Sequence, residues 1–289
     1  MMRITRRRAA GVVTLVSIAL AVVAAKNSPP RAVPAPTYDV YAIRYATIPA
    51  FRLSGLIADA DTSRRLDIAM MIWLLKGSDG RNILVDVGFH RDDFVQRFHP
   101  TGFLTPREAV ARGGVKPDEI TDVIISHVHW DHLDGLDLFP KARVWIQREE
   151  FDYYLDSAGT VKNRAIDAGD AKLLAQAARE GRVTLVDGDA KEIIPGITVY
   201  TGGKHTFASQ FATVHAASGT IVVASDNMYL YENLARHVPI AQTLDSASNL
   251  RAQARMVTLA SDPRLIVPGH DPEVFVRFPT PGNGVARIQ

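Results

Sequence analysis

The chain has 289 residues, 47% apolar and 22% charged, which suits one large domain with a sizeable core and excludes a disordered body. Its net charge of +2 comes from four arginines in the first 25 residues; without them 29 basic residues face 31 acidic ones, so the body offers no electrostatic case for nucleic-acid binding. There is no cysteine, which excludes disulfides, thiolate metal sites, a cysteine nucleophile and a lipidated N-terminal cysteine.

Residues 1–25 read as a signal peptide or membrane anchor. Arg3, Arg6, Arg7 and Arg8 form a basic start, and an uncharged run from Ala9 to Ala25 ends in small side chains suited to cleavage at Val23-Ala24-Ala25. The run spans 17 residues, the lower limit for crossing a bilayer, so anchoring through residues 9–25 is the alternative to cleavage. Arg6-Arg7 also admits twin-arginine export. The expected location is periplasmic or extracellular, or attached to the membrane. Residues 26–37 read as a proline-rich linker, and 38–289 as a single domain.

Within that domain Tyr38–Arg44 is strand-like. A polar loop follows at Ala58–Asp67, then a hairpin made of Met70–Leu75 and Asn82–Asp86 around the Gly77–Gly80 turn. Arg91–Arg97 and Pro106–Arg112 are short helix candidates. Thr121–Ile125 is a buried strand, followed by a strand at Ala142–Gln147 and helices at Arg148–Leu155 and Asp170–Gly181. Further strands are expected at Val183–Val186, Ile197–Tyr200, Phe211–His215, Thr220–Ala224 and Leu265–Val267, with a capped helix at Ser246–Ala260. Strands arrive in hairpin groups with helices between them, which predicts a layered α/β fold of two mixed sheets.

The strand Thr121–Ile125 runs straight into Ser126-His127-Val128-His129-Trp130-Asp131-His132. Imidazole and carboxylate are the ligands zinc takes when thiolate is absent. The segment holds too many ligands for one tetrahedral site, so two adjacent divalent metals are the economical reading, with zinc the default and cobalt, manganese or iron compatible.

The spacing H-x-H-x-D-H after a buried strand resembles the signature of the metallo-β-lactamase superfamily. That resemblance implies an αββα sandwich of two mixed β-sheets flanked by helices. It also implies three later ligands, met in order by His205, Asp226 and His270, each just after a predicted strand. By the same resemblance one metal takes His127, His129 and His205, and the other takes Asp131, His132 and His270. Asp226 and a hydroxide bridge them, and the hydroxide attacks the substrate carbonyl. Asp86, in Leu84-Val85-Asp86-Val87-Gly88, is expected to support the site from behind. The family often has Thr-Pro-Gly-His before the fourth ligand, where this chain has Gly202-Gly203-Lys204-His205; a lysine beside two dications should point away or bind an anion.

The oxygen-reducing di-iron branch has Glu where His129 stands, and true β-lactamases lack a bridging carboxylate equivalent to Asp226. Glyoxalase II hydrolases share all seven ligand types. Tyr229, three residues after Asp226, matches a tyrosine of N-acyl-homoserine lactone lactonases, where it contacts the substrate ester. The resemblance therefore implies a quorum-quenching type of lactonase acting on small lactone or ester substrates, with Asp131, Asp226 and Tyr229 as catalytic residues. A glyoxalase-II-like thioesterase or another ester or phosphoester hydrolase is the alternative, and a non-catalytic metal-binding member is a third. Apolar segments at Ile48–Ile57, with Phe51, and Phe98–Leu104 are expected as loops around an acyl chain. Trp130 is expected to pack behind the ligands, and Arg148-Glu149-Glu150 to be a solvated helix start. His90, His99, His215 and His237 are read as structural or exposed. Oligomeric state is left open, and a homodimer is compatible with it.

Overall fold

Burial along the second strand sets the architecture. Met70, Ile72 and Leu74 face one core while Ala69, Met71, Trp73 and Leu75 face another, and all seven are buried. A strand places successive side chains on opposite faces, so a run that is apolar at every position belongs to a sheet covered on both sides. The computed structural model describes residues 35–156 and 159–289, with Met1. The expected leader beyond Met1 and most of the linker lie outside the described residues. Among the described residues no helix is long and apolar enough to cross a membrane.

The strands are β1 (Tyr38–Arg52), β2 (Arg65–Gly77), β3 (Asn82–Val85), β4 (Asp122–Ile124), β5 (Arg143–Gln147), β6 (Val183–Val186), β7 (Lys191–Ile194), β8 (Ile197–Thr201), β9 (Gln210–Ala216), β10 (Gly219–Ser225), β11 (Ile266–Pro268) and β12 (Val285–Ile288). They form a seven-stranded sheet, β12-β1-β2-β3-β4-β5-β6, and a five-stranded sheet, β11-β10-β9-β8-β7. Both are mixed: β3, β4, β5 and β6 pair in parallel, as do β10 and β11, and the other pairs are antiparallel. The helices are α1 (Asp92–Phe98), α2 (Pro106–Arg112), α3 (Trp130–Leu133), α4 (Arg148–Tyr154), α5 (Ala168–Arg179), α6 (Tyr231–Arg236), α7 (Ser246–Leu259) and α8 (Val274–Arg277).

Three cores make four layers. Ile72, Leu74 and Val123 pack under Ala109 and Val110 of α2 and Leu174 of α5. Val40, Trp73 and Ile83 meet Val199, Val214 and Ile221 between the sheets. Val222 and Ala224, on the other face of β10, meet Ala252 and Met256 of α7. This is the αββα sandwich the resemblance implied.

Two strands reach well beyond the bounds read from the sequence. β1 runs on to Arg52, so Ile48 and Phe51 belong to a strand rather than a loop. Register shifts between Arg44 and Ala46 and between Ile48 and Phe51 break the alternation that would have shown it, and Ala50 has φ +50°. β2 starts at Arg65, inside the segment read as a polar loop. β7, β12 and α6 are four to six residues long and were not expected.

Candidate metal centre

Four strand ends deliver the histidines and carboxylates to one place. β4 leads to His127, β8 to His205, β10 to Asp226 and β11 to His270. α3 begins at Trp130 and turns Asp131 and His132 back toward the same point. All seven expected residues come together, in two groups that share Asp226. His127, His129, His205 and Asp226 form one, and Asp131, His132, Asp226 and His270 the other, each with its donor atoms within 4.8 Å of one another.

In the first group three ring nitrogens converge. His129 Nδ1 lies 3.1 Å from His127 Nε2 and 2.8 Å from His205 Nε2. Asp226 Oδ2 stands 3.6 Å from His127 Nε2 and 3.3 Å from His205 Nε2. In the second, His132 Nε2 is 3.3 Å from Asp226 Oδ2 and 3.6 Å from Asp131 Oδ2. His270 Nε2 is 3.0 Å from Asp226 Oδ1 and 3.6 Å from Asp131 Oδ2. One carboxylate thus presents an oxygen to each group.

The outer nitrogens are held by the scaffold. His205 Nδ1–H donates to the Gln242 carbonyl at 2.7 Å, and His270 Nδ1–H donates to the Ala69 carbonyl at 3.1 Å. His132 Nδ1–H donates to Asp86 Oδ2 at 2.8 Å. His127 Nδ1–H reaches Ser126 Oγ at 2.9 Å, which itself donates to Asp86 Oδ2 at 2.8 Å. Asp86 also takes Ser225 Oγ–H and the Ser126 amide, both at 2.8 Å, so it supports the cluster as expected. Asp86 and Ser225 both have left-handed backbones, φ +59° and +46°, which turn the chain sharply at the ends of β3 and β10. With Nδ1–H spent on the scaffold, His127, His132, His205 and His270 all direct Nε2 inward, where each offers a lone pair once that nitrogen carries no proton. His132 Nε2 and Asp226 Oδ1 are buried yet make no aligned hydrogen bond. Converging lone pairs and carboxylate oxygens, with such orphaned atoms, are a donor set for divalent cations rather than a self-sufficient polar network.

Electrostatics describe the same mismatch. Burial, reinforced by its neighbouring histidines, lowers His129 to about 3 and holds His127 well below the usual imidazole range. Burial acts the same way on His132 and His270, but Asp226 and Asp131 outweigh it and raise both. Asp226 is held well below the carboxylate range because His132 and His270 overcome its burial, whereas burial and the charge of Asp226 raise Asp131. These six groups thus divide a few protons among themselves.

The cluster floors a cavity of about 260 Å³. Ile48, Phe51, Leu56, Ile68, Met70 and Phe98 line its apolar wall, and His129, Asp131, Asp226 and His270 its polar end. Tyr229 is part of the wall, with its hydroxyl 3.4 Å from His205 Nδ1. Burial, then the charges of Asp226 and Asp131, raise its phenol well above 10, so it stays protonated. The 226–229 turn is tied to the last ligand, since Gly269 N donates to Met228 O at 2.9 Å and His270 N to Tyr229 O at 3.0 Å. Trp130 packs as expected, stacked on Phe98 at 4.3 Å and Phe94 at 4.6 Å, and also shows in the cavity. Phe103 lies against Phe89, in the core rather than the cavity.

Lys204 points away from the cluster: its ammonium donates to the Phe207 carbonyl at 2.7 Å and sits over the Phe207 ring. The two glycines before it make room for amides. A Cβ on Gly202 would fall 2.0 Å from Asn227 Oδ1, and one on Gly203 2.4 Å from Asn249 Nδ2. His90 pairs with Asp137 at 2.9 Å, His215 is exposed, and His99 and His237 are exposed left-handed caps of α1 and α6. The reading of Glu150 was wrong. It is fully buried, accepting hydrogen bonds from Val128 N, Thr206 Oγ1 and Ala208 N. Neighbouring charged residues and a helix start suggested solvent; nothing in the local sequence shows three donors from distant loops.

A family model described as the metallo-beta-lactamase superfamily matches residues 70–270. An N-acyl homoserine lactonase from Bacillus cereus is 26% identical over 223 residues, spanning 72% of this chain and 83% of that protein. Among solved structures, a quorum-quenching N-acyl homoserine lactone lactonase aligns with a TM-score of 0.65 at 22% identity, over 83% of this chain and 94% of its own. AidC, a dizinc quorum-quenching lactonase, aligns with a TM-score of 0.64 at 16% identity, over 89% and 95%. At these identities the structural likeness speaks for the fold.

Proposed function

The chain belongs to the metallo-β-lactamase superfamily, and from that premise we propose that it is a dinuclear metal-dependent hydrolase that opens lactones, N-acyl-homoserine lactones foremost. His127, His129 and His205 would hold one cation and Asp131, His132 and His270 the other, with Asp226 reaching both. The donor set favours zinc. When bound, two such ions supply Lewis acidity and bring a water's pKa toward neutrality.

The observation that carries the lactone reading is Tyr229, a protonated phenol on the cavity wall, its ring 5.5 Å from that of His205 in one half of the cluster and 5.8 Å from that of His270 in the other. In lactone hydrolysis a water oxygen adds to the carbonyl carbon, the ring C–O bond breaks, and the proton that water loses ends on the departing alkoxide. Tyr229 O–H would donate to the ester oxygens as they gain charge. Asp131, at the polar end of the cavity, would pass the proton to the alkoxide. Asp226 fixes the spacing of the two groups. The wall from Ile48 to Phe98 suits an acyl chain. We keep residues 1–25 as an export signal or anchor and 26–37 as a linker, on their composition alone.

A substrate panel tests this: acyl-homoserine lactones, simple lactones, thioesters and phosphotriesters on zinc-loaded protein. Lactones should be turned over fastest, and Tyr229→Phe should lower lactone kcat on the order of 10²-fold. Full lactone activity in Tyr229→Phe would remove the ground for this reading, and faster thioester turnover would favour a glyoxalase-II-like enzyme.

A further inference from the structure

The three-histidine side of the centre is assembled from two separate loops, and a single buried side chain fastens them together. His127 and His129 flank Val128 on the loop after β4, and His205 precedes Thr206 and Ala208 on the loop after β8. Glu150, in the first turn of α4, is 0% exposed. Its Oε1 accepts the Val128 amide at 3.2 Å and the Thr206 hydroxyl at 2.5 Å, and its Oε2 accepts the Ala208 amide at 2.6 Å. We infer that Glu150 is a positioning residue that sets the distance between the His127–His129 loop and the His205 loop, and so the shape of the three-histidine metal position. The inference rests on the dinuclear reading above.

The chemistry requires a carboxylate at this position. Two of its three partners are backbone amides, which can only donate, and they face different oxygens, so the side chain must accept through both. Glutamine has nearly the same shape but turns an NH2 toward a donor, which leaves that donor buried and unpaired. The second set of ligands does not depend on Glu150: Asp131 and His132 are carried by α3, His132 hangs from Asp86, and His270 from the Ala69 carbonyl. A loss of Glu150 should therefore fall on one half of the centre and spare the other. Groups that orient ligands without touching the metal commonly change metal affinity by about 10- to 100-fold.

Cobalt(II) titration of the metal-free chain, followed by the visible spectrum, tests this without reference to turnover. The parent should take up two ions in two resolvable steps. In Glu150→Gln one step should weaken by roughly 10- to 100-fold, with a changed ligand-field spectrum for that ion, while the other keeps its affinity and spectrum. Thr206→Val, which removes one donor and leaves the carboxylate, should weaken the same step by less. Glu149→Gln, the neighbouring residue in the same helical turn, should bind as the parent does. Two unchanged steps in both Glu150→Gln and Thr206→Val, or equal weakening of both steps, would overturn the inference. A parent that takes up no cobalt would instead overturn the dinuclear reading and this inference with it. Should Glu150→Gln fail to fold, Thr206→Val alone decides between selective weakening and none.

Discussion

Gly203 has no space for a side chain. A Cβ there would stand 2.4 Å from Asn249 Nδ2 and 2.6 Å from Asn249 Cα, and the second contact is with backbone that cannot swing aside. Gly203→Ala should therefore cost about 1–3 kcal/mol, seen as a lower denaturant midpoint with an unchanged slope. An unchanged midpoint would mean that α7 and the His205 loop are not packed as described. Residues of this kind mark the limit of what one sequence shows. Four of the seven clustered residues were legible in the H-x-H-x-D-H run, and His205, Asp226 and His270 through the order of later ligands that the family resemblance implies, each following a predicted strand. Asp86 was legible through the same resemblance. Glu150 was not, because a carboxylate's burial is decided by its donors, here on loops 22 to 58 residues away. The small size of Gly202 and Gly203 was visible, but the Asn227 and Asn249 amides that require it were not.

At the level of elements, helix ends followed their local signals closely. α7 starts at Ser246 because Asp245 accepts the Ser248 amide at 3.0 Å, which satisfies one of the helix's free donors. Asp245→Ala should lower stability by about 1 kcal/mol while leaving metal stoichiometry unchanged, measured by thermal melting and metal analysis of the same sample. A fall in metal content would mean that α7 controls the centre and not only the outer layer. α2 matched its expected bounds, with Thr105 and Glu108 forming a reciprocal cap. Strands were harder. β12, four residues long, is held by its pairing with β1, from Val40↔Ile288 to Ile43↔Val285. That partner lies more than 240 residues away, and a four-residue segment carries little pattern of its own. The outer half of β1 was hidden by its own bulges, which scramble the two-residue alternation that identifies a strand.

Over the whole molecule, the two mixed sheets were legible from hairpin groups of strands with helices between them, and the layer order and the meeting of strand ends from the family resemblance. The metal-free and metal-loaded proteins should respond oppositely to pH. In the metal-free chain His132 and His270 are raised above 6.5, so their stabilising contribution is full below that value and is lost as pH rises through their folded values. Asp226 is depressed, so its contribution is present above about 4 and is lost only in strong acid. Chelated protein should therefore melt at a lower temperature at pH 9 than at pH 6. Cations must displace the protons on His132 and His270, so binding should release protons and tighten from pH 6 to pH 8. Calorimetry in two buffers of different ionisation enthalpy would detect that release, and pH-independent binding would contradict it. The cavity wall has a further consequence. Ile48, Phe51, Leu56, Ile68, Met70 and Phe98 all precede residue 100, while the seven clustered residues and Tyr229 all follow residue 126. Trp130 and Gln242 also line the cavity, but the rest of its apolar wall and its reacting end are thus encoded in separate stretches of the gene. Mutation in the first stretch can change one trait while the other is inherited intact, so selection can move such a protein between substrates without passing through an inactive form.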